Sequence, residues 1–150
     1  MIQLIRTNSD NLDFTALVKL LDTDLAIRDG ADHAFYAQYN TTNKIRFVLV
    51  AYQDEQPVGC GAIKEMAMDT MEVKRMFVTP ELRGKGIASA ILAELEKWAS
   101  EMSYAVCVLE TGKRQPEAIS LYLRNGYRIT ENYGQYIGME NSVCFRKELQ

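Results

Sequence analysis

Histidine occurs once in this chain, as His33, and cysteine three times, as Cys60, Cys107 and Cys144. One imidazole and three scattered thiols give no cluster with metal-ligand spacing, so no structural zinc and no other metal is expected. An odd number of widely spaced cysteines in apolar surroundings reads as core residues or spectator thiols, not as a disulfide framework or redox pair. Basic residues fall short of acidic ones, 17 against 20, for a formal net charge of −3. Proteins that hold nucleic acid through its phosphates carry a basic surface, so general nucleic-acid binding is not expected. Long apolar runs are also missing. Phe47–Tyr52 is far shorter than the ~20 residues a membrane-spanning helix needs, and no membrane partner is expected. Met1-Ile2-Gln3 opens straight into strand-like sequence, with no basic region followed by an apolar stretch, so the expected location is cytoplasmic.

What is present suits a single domain spanning 1–150, with 47% hydrophobic and 25% charged residues to divide between a core and a solvated surface. Strands are expected over Ile2–Arg6, Lys44–Ala51, Pro57–Met66, Met71–Val78, Tyr104–Leu109, Tyr127–Thr130 and Ser142–Leu149. A helix follows the caps at Asn8–Asp10, with Leu12, Leu17, Leu20, Leu21 and Leu25 at helical spacing, and ends at Asp29-Gly30. Ala31–Asn43 reads as a second helix or an ordered loop. Ile87–Met102 places Ile87, Ile91, Leu92, Leu95 and Trp98 on one face, and Pro116 starts a short helix closed by Gly126. The mixed order predicts an α/β (α+β) fold: a largely antiparallel sheet of six to seven strands flanked by about four helices.

Met71–Ala90, MEVKRMFVTPELRGKGIASA, carries the clearest chemistry. A strand runs into Thr79-Pro80, then the loop Arg83-Gly84-Lys85-Gly86, then a helix from Ile87. Glycines let backbone N–H groups approach a ligand, and a helix start leaves such donors unpaired at a positive dipole end. Arg83 and Lys85 add full charges to this anion site. A phosphate loop of the form GxxxxGK[ST] is not supplied, and Gly84-x-Gly86 continues to Ser89, not to the third glycine of a dinucleotide fingerprint.

Arg83-x-x-Gly86-x-Ala88 fits the pattern [QR]-x-x-G-x-[GA], and here the chain resembles the GNAT superfamily of N-acetyltransferases, which bind acetyl-CoA. Ala118–Tyr127, AISLYLRNGY, is similar to the family's second motif, and the order of strands and helices matches from Ile2 to Leu149. The resemblance implies that Met76, Phe77 and Val78 offer backbone groups to the pantetheine arm. It implies that Arg83, Gly84, Lys85, Gly86, Ile87 and Ala88 hold the diphosphate. Gln115 stands where the family often has asparagine. No metal is implied. Lys113, Arg114 and Arg124 read either as further phosphate contacts or as solvated charges.

The resemblance also assigns chemistry. Tyr122 becomes the general acid for the leaving thiolate and Glu72, on the fourth strand, the base, with Glu110 or a water chain as substitute. Backbone N–H groups near Phe77-Val78 are candidate oxyanion donors. Strict alternation would set Arg75 with Val73 and Phe77 on one face and Glu72, Lys74 and Met76 on the other. Arg75 then either grips an acidic group on the acceptor or pairs with a core carboxylate. The acceptor walls are expected from Asp29, His33, Tyr36 and Tyr39 on one side and Tyr133-Gly134-Gln135-Tyr136 on the other; His33, Tyr36, Arg75 and Tyr136 are the candidate contacts. The function expected is N-acetylation of a primary amine, a small molecule being favoured. A non-catalytic acyl-CoA sensor and a protein lysine or N-terminal acetyltransferase are the alternatives. A homodimer is compatible with the resemblance.

Overall fold

Val48, Leu49, Val50 and Ala51 are consecutive and all buried, so the sheet they belong to must be covered on both faces. The computed structural model, which describes residues 1–38 and 44–150, supplies both covers. The strands are β1 (Ile2–Thr7), β2 (Phe47–Gln53), β3 (Gln56–Ala67), β4 (Thr70–Val78), β5 (Val106–Gly112), β6 (Arg128–Thr130) and β7 (Ser142–Glu148). The helices are α1 (Leu12–Asp29), α2 (His33–Ala37, barely more than one turn), α3 (Ile87–Glu101) and α4 (Pro116–Arg124). The sheet runs β1-β2-β3-β4-β5-β7-β6, and every pairing is antiparallel except β4 with β5. That exception follows from α3, the crossover joining those two strands.

Asn11 starts α1 by accepting a hydrogen bond from the Phe14 N–H at 2.9 Å. Phe14, Leu17, Val18 and Leu21 then pack on Val48, Val50, Cys60, Ala62 and Phe77. Leu12 and Leu20 are exposed, so the apolar face lies on Phe14 and Val18 instead. On the opposite face α3 lays down Ile87, Ile91, Leu92, Leu95 and Ala99 against Leu49, Ala51, Ile63, Val73 and Val78. Trp98 sits at the margin of this layer, edge-on to Phe47 at 5.4 Å and beneath the Arg6 guanidinium at 4.9 Å.

One irregularity organises the site. Ala62 pairs with Lys74 and Cys60 with Phe77, so Gly61 faces two residues of β4, Arg75 and Met76. Arg75 takes φ 58°, the left-handed region that a side-chain-bearing residue seldom adopts. The extra residue reverses the alternation. Met71 and Val73 before the bulge, and Met76 and Val78 after it, face α3, whereas Phe77 faces α1. Arg75 also turns to α1, where its guanidinium bonds Asp22. The expected grouping of Arg75 with Val73, and of Met76 with Glu72, is therefore corrected: period-two counting fails across an inserted residue.

Candidate active site

The parallel pairing of β4 with β5 covers only Thr70↔Val106, Met71↔Cys107 and Glu72↔Val108. Beyond Glu72, β4 is bent by its bulge and β5 turns to β7 as its partner, so the two strands part. A cleft opens between them, with a cavity of about 110 Å³. Glu72 on β4, Glu110 on β5 and Tyr122 on α4 all line it. Among the described residues, no strand uses the backbone groups on the β4 edge that faces the cleft.

Glu72 is held from two sides. The Tyr133 hydroxyl donates to Oε2 at 2.7 Å, and Lys74 Nζ lies 3.7 Å from Oε1. Glu110 experiences a different setting. Burial pushes its carboxyl up to about 7, with the charges of Asp29 and Glu72 adding to the shift and the Ser142 hydroxyl and Lys74 opposing it. Tyr122 is 6% exposed, its ring tilted against Phe145 at 5.6 Å and edge-on to Tyr127 at 5.9 Å. Burial, with the Glu110 charge second, raises its phenol well above the ordinary value and keeps it protonated.

β4 leads from this cleft to the glycine loop. Gly84 and Gly86 have φ +79° and +85°, and a Cβ at either would meet nothing within 4 Å. Conformation, not crowding, demands glycine at both, and the surroundings leave room for a bulky anion. Gly86 begins α3 with no side-chain cap, so the first amides of Ile87 and Ala88 stay available to a ligand. Lys85 is exposed, whereas Arg83 folds back, its Nε donating to the Val78 carbonyl at 2.8 Å and its guanidinium lying over Phe77. Met76 lines the cleft; Phe77 and Val78 are buried next to it. Gln115 also lines it, as the N-cap of α4, where its carbonyl receives the Ala118 and Ile119 amides.

On the α1 side Tyr36 and Tyr136 line the same cleft, stacked with ring centroids 6.3 Å apart. Ser142 ties Tyr36 down at 2.6 Å, and Asn132 Nδ2 pins the second loop by donating to the Tyr136 and Met139 carbonyls. Arg75 lines the cleft already paired with Asp22. His33 does not line it: it is exposed at the start of α2. Tyr39 falls outside the described residues. Arg114 caps α1, donating to the Asp29 and Arg28 carbonyls at 2.6 and 3.3 Å. Asn141 and Ser142, which sequence motifs do not mark, support the cleft from behind through Gly112 and Tyr36. The pairing of Tyr133 with Glu72 had no local signal either, since 61 positions separate the two.

Comparison with known proteins identifies the family and the fold. The acetyltransferase (GNAT) domain family matches residues 44–129. An IAA acetyltransferase of Azospirillum brasilense is 38% identical over 110 residues, covering 71% of this chain and 69% of its own. N-acetyltransferase YsnE of Bacillus subtilis is 31% identical over 101 residues, covering 66% and 67%. A Klebsiella pneumoniae protein described as an acyl-CoA N-acyltransferase superposes with a TM-score of 0.83 at 28% identity, covering 100% of this chain and 99% of that one. The PaiA N-acetyltransferase of Thermoplasma acidophilum, solved with coenzyme A, superposes at 0.75 and 17% identity over 99% of both chains, a likeness of fold.

Proposed function

Because this chain belongs to the GNAT acetyltransferase family, we propose that it moves acetyl from acetyl-CoA directly to the primary amine of a small molecule, with Glu72 or a water as base and Tyr122 as general acid. The observation that carries this reading is the cleft where β4 and β5 part, which gathers two carboxylates and a protonated phenol at the end of an unpaired strand edge.

A lysine-like amine is only about 0.1% neutral near pH 7.4, a deficit of roughly 4 kcal/mol that a base must offset. In this reading Glu72, hydrogen-bonded by Tyr133, takes the proton directly or through water, and Glu110, its carboxyl raised to about 7 by burial, is the substitute. The amine nitrogen bonds to the thioester carbon, and the oxyanion meets backbone N–H groups near Phe77-Val78. The C–S bond then breaks, and the sulfur leaves with the Tyr122 proton. The loop Arg83–Ala88 is suited to the diphosphate: it has open glycines, uncapped helix amides and Lys85. Attack through Cys107 is not favoured, because burial pushes that thiol up to about 12 and no histidine adjoins it.

Thiol release from acetyl-CoA, followed across a panel of small primary amines, tests the proposal. Amine-dependent release with an acetylated product supports it. Acetyl-CoA binding by calorimetry with no release on any acceptor indicates a sensor, and acetylation confined to protein lysines or N-termini indicates a protein modifier.

A further inference from the structure

The C-terminus of α1 puts a carboxylate where two effects oppose it. Asp29 is the last residue of the helix and is 5% exposed. Helix carbonyls gather there as the negative dipole end, and burial strips water from a charge. Arg114 satisfies the Asp29 carbonyl, not its side chain. Among the described residues the Asp29 carboxylate has no hydrogen bond and no ion pair; His33 and Arg114 act on it only through space. Burial raises this carboxyl above its ordinary value, with the charges of His33 and Arg114 pulling it back down.

This carboxylate lines the same cleft as Glu72, Glu110 and Tyr122. The cations lining that cleft are engaged elsewhere: Lys74 adjoins Glu72, and Arg75 bonds Asp22. Tyr36 and Tyr136 add two aromatic faces, which attract an alkylammonium. A structural role would be met at lower cost by asparagine or serine. A buried carboxylate that no cation among the described residues contacts directly, with His33 and Arg114 acting on it only through space, is complementary to a cation that arrives with the ligand.

We propose that the acceptor carries a second cationic group, an ammonium or guanidinium, and that Asp29 binds it while the other nitrogen is acetylated. The inference rests on the acetyltransferase reading above. It gives the carboxylates separate tasks. Asp29 holds one nitrogen charged, and Glu72 or Glu110 makes the other neutral for attack.

The test compares α,ω-diaminoalkanes and aminoalkylguanidines with monoamines in which a methyl replaces the distal cation. The wild-type protein is expected to favour the dications by on the order of tenfold or more in kcat/KM. Asp29→Asn should bring that ratio close to one, chiefly through KM, and should raise the melting temperature of the free protein. No preference in the wild type, or a preference kept by Asp29→Asn, overturns the proposal. Calorimetry on the CoA-loaded protein separates it from the reaction itself. Dication binding that needs Asp29, with no thiol released on any amine, keeps the cation site and defeats the transferase reading. Brisk turnover of monoamines with no dication advantage does the reverse.

Discussion

Tyr133 donates its hydroxyl hydrogen to Glu72 Oε2 across 2.7 Å, joining the loop before β7 to the point where β4 leaves β5. A hydrogen bond to a charged group contributes about 1.5–3 kcal/mol where water is scarce. Tyr133→Phe removes it without removing the ring. The expected outcome is a fall of roughly tenfold or more in kcat/KM with CoA affinity retained. Glu72→Gln should cost about 10²–10³ in kcat if Glu72 takes the proton. Steady-state thiol release with one acceptor measures both.

Tyr122 bears on the leaving group. Tyr122→Phe deletes one oxygen from a well-packed aromatic cluster with Phe145 and Tyr127, so folding should change little. The expected loss in kcat at neutral pH is about 10²-fold or more, with acetyl-CoA binding close to wild type by calorimetry. Unchanged turnover would remove Tyr122 from the chemistry.

Glu110 gives a pH signature with a definite sign. Its folded carboxyl is raised from 4.5 to about 7, so the folded state holds a proton that the unfolded chain has already released. Stability from this group is present below pH 4.5 and is lost as pH rises to about 7, by up to about 3 kcal/mol. Glu110→Gln should flatten that loss in thermal melts taken across this range. If Glu110 rather than Glu72 takes the proton, kcat/KM rises with pH through about 7, and the limb vanishes in Glu110→Gln but persists in Glu72→Gln.

Gly61 faces the bulge. A Cβ there would lie 2.7 Å from Met76 Sδ, 2.8 Å from Leu95 Cδ1 and 2.9 Å from Ile91 Cγ2. Gly61→Ala must push α3 or Met76 outward, at a cost of about 1–3 kcal/mol. Gly86→Ala meets no neighbour but forces φ +85° on a residue with a Cβ; the expected outcome is a loss of about 1–2 kcal/mol in stability and, if the loop holds the diphosphate as proposed, weaker acetyl-CoA binding. Urea unfolding, with calorimetry for Gly86→Ala, separates the crowded glycine from the merely strained one.

Local patterns carried much of the fold. Period-two strands, the capped start of α1, the apolar stripe of α3 and the Pro116–Gly126 helix depend on residues close in sequence, and each element appeared within a few positions of its expected bounds. The glycine loop was legible for the same reason, since strand, turn and helix start are one local unit. By itself the sequence determined the elements, their order and the glycine turn that joins β4 to α3. Tertiary structure decided the rest. The bulge at Arg75 needs Gly61 opposite it, and it overturned the face assignment that alternation predicts for β4. Tyr133 reaches Glu72, Arg114 reaches the end of α1, and the Asp29 side chain is left buried without a hydrogen bond or ion pair among the described residues only because distant segments meet. Spacing along a chain fixes which way a side chain points within one regular element; burial, charge and proton affinity depend on what the other elements bring against it.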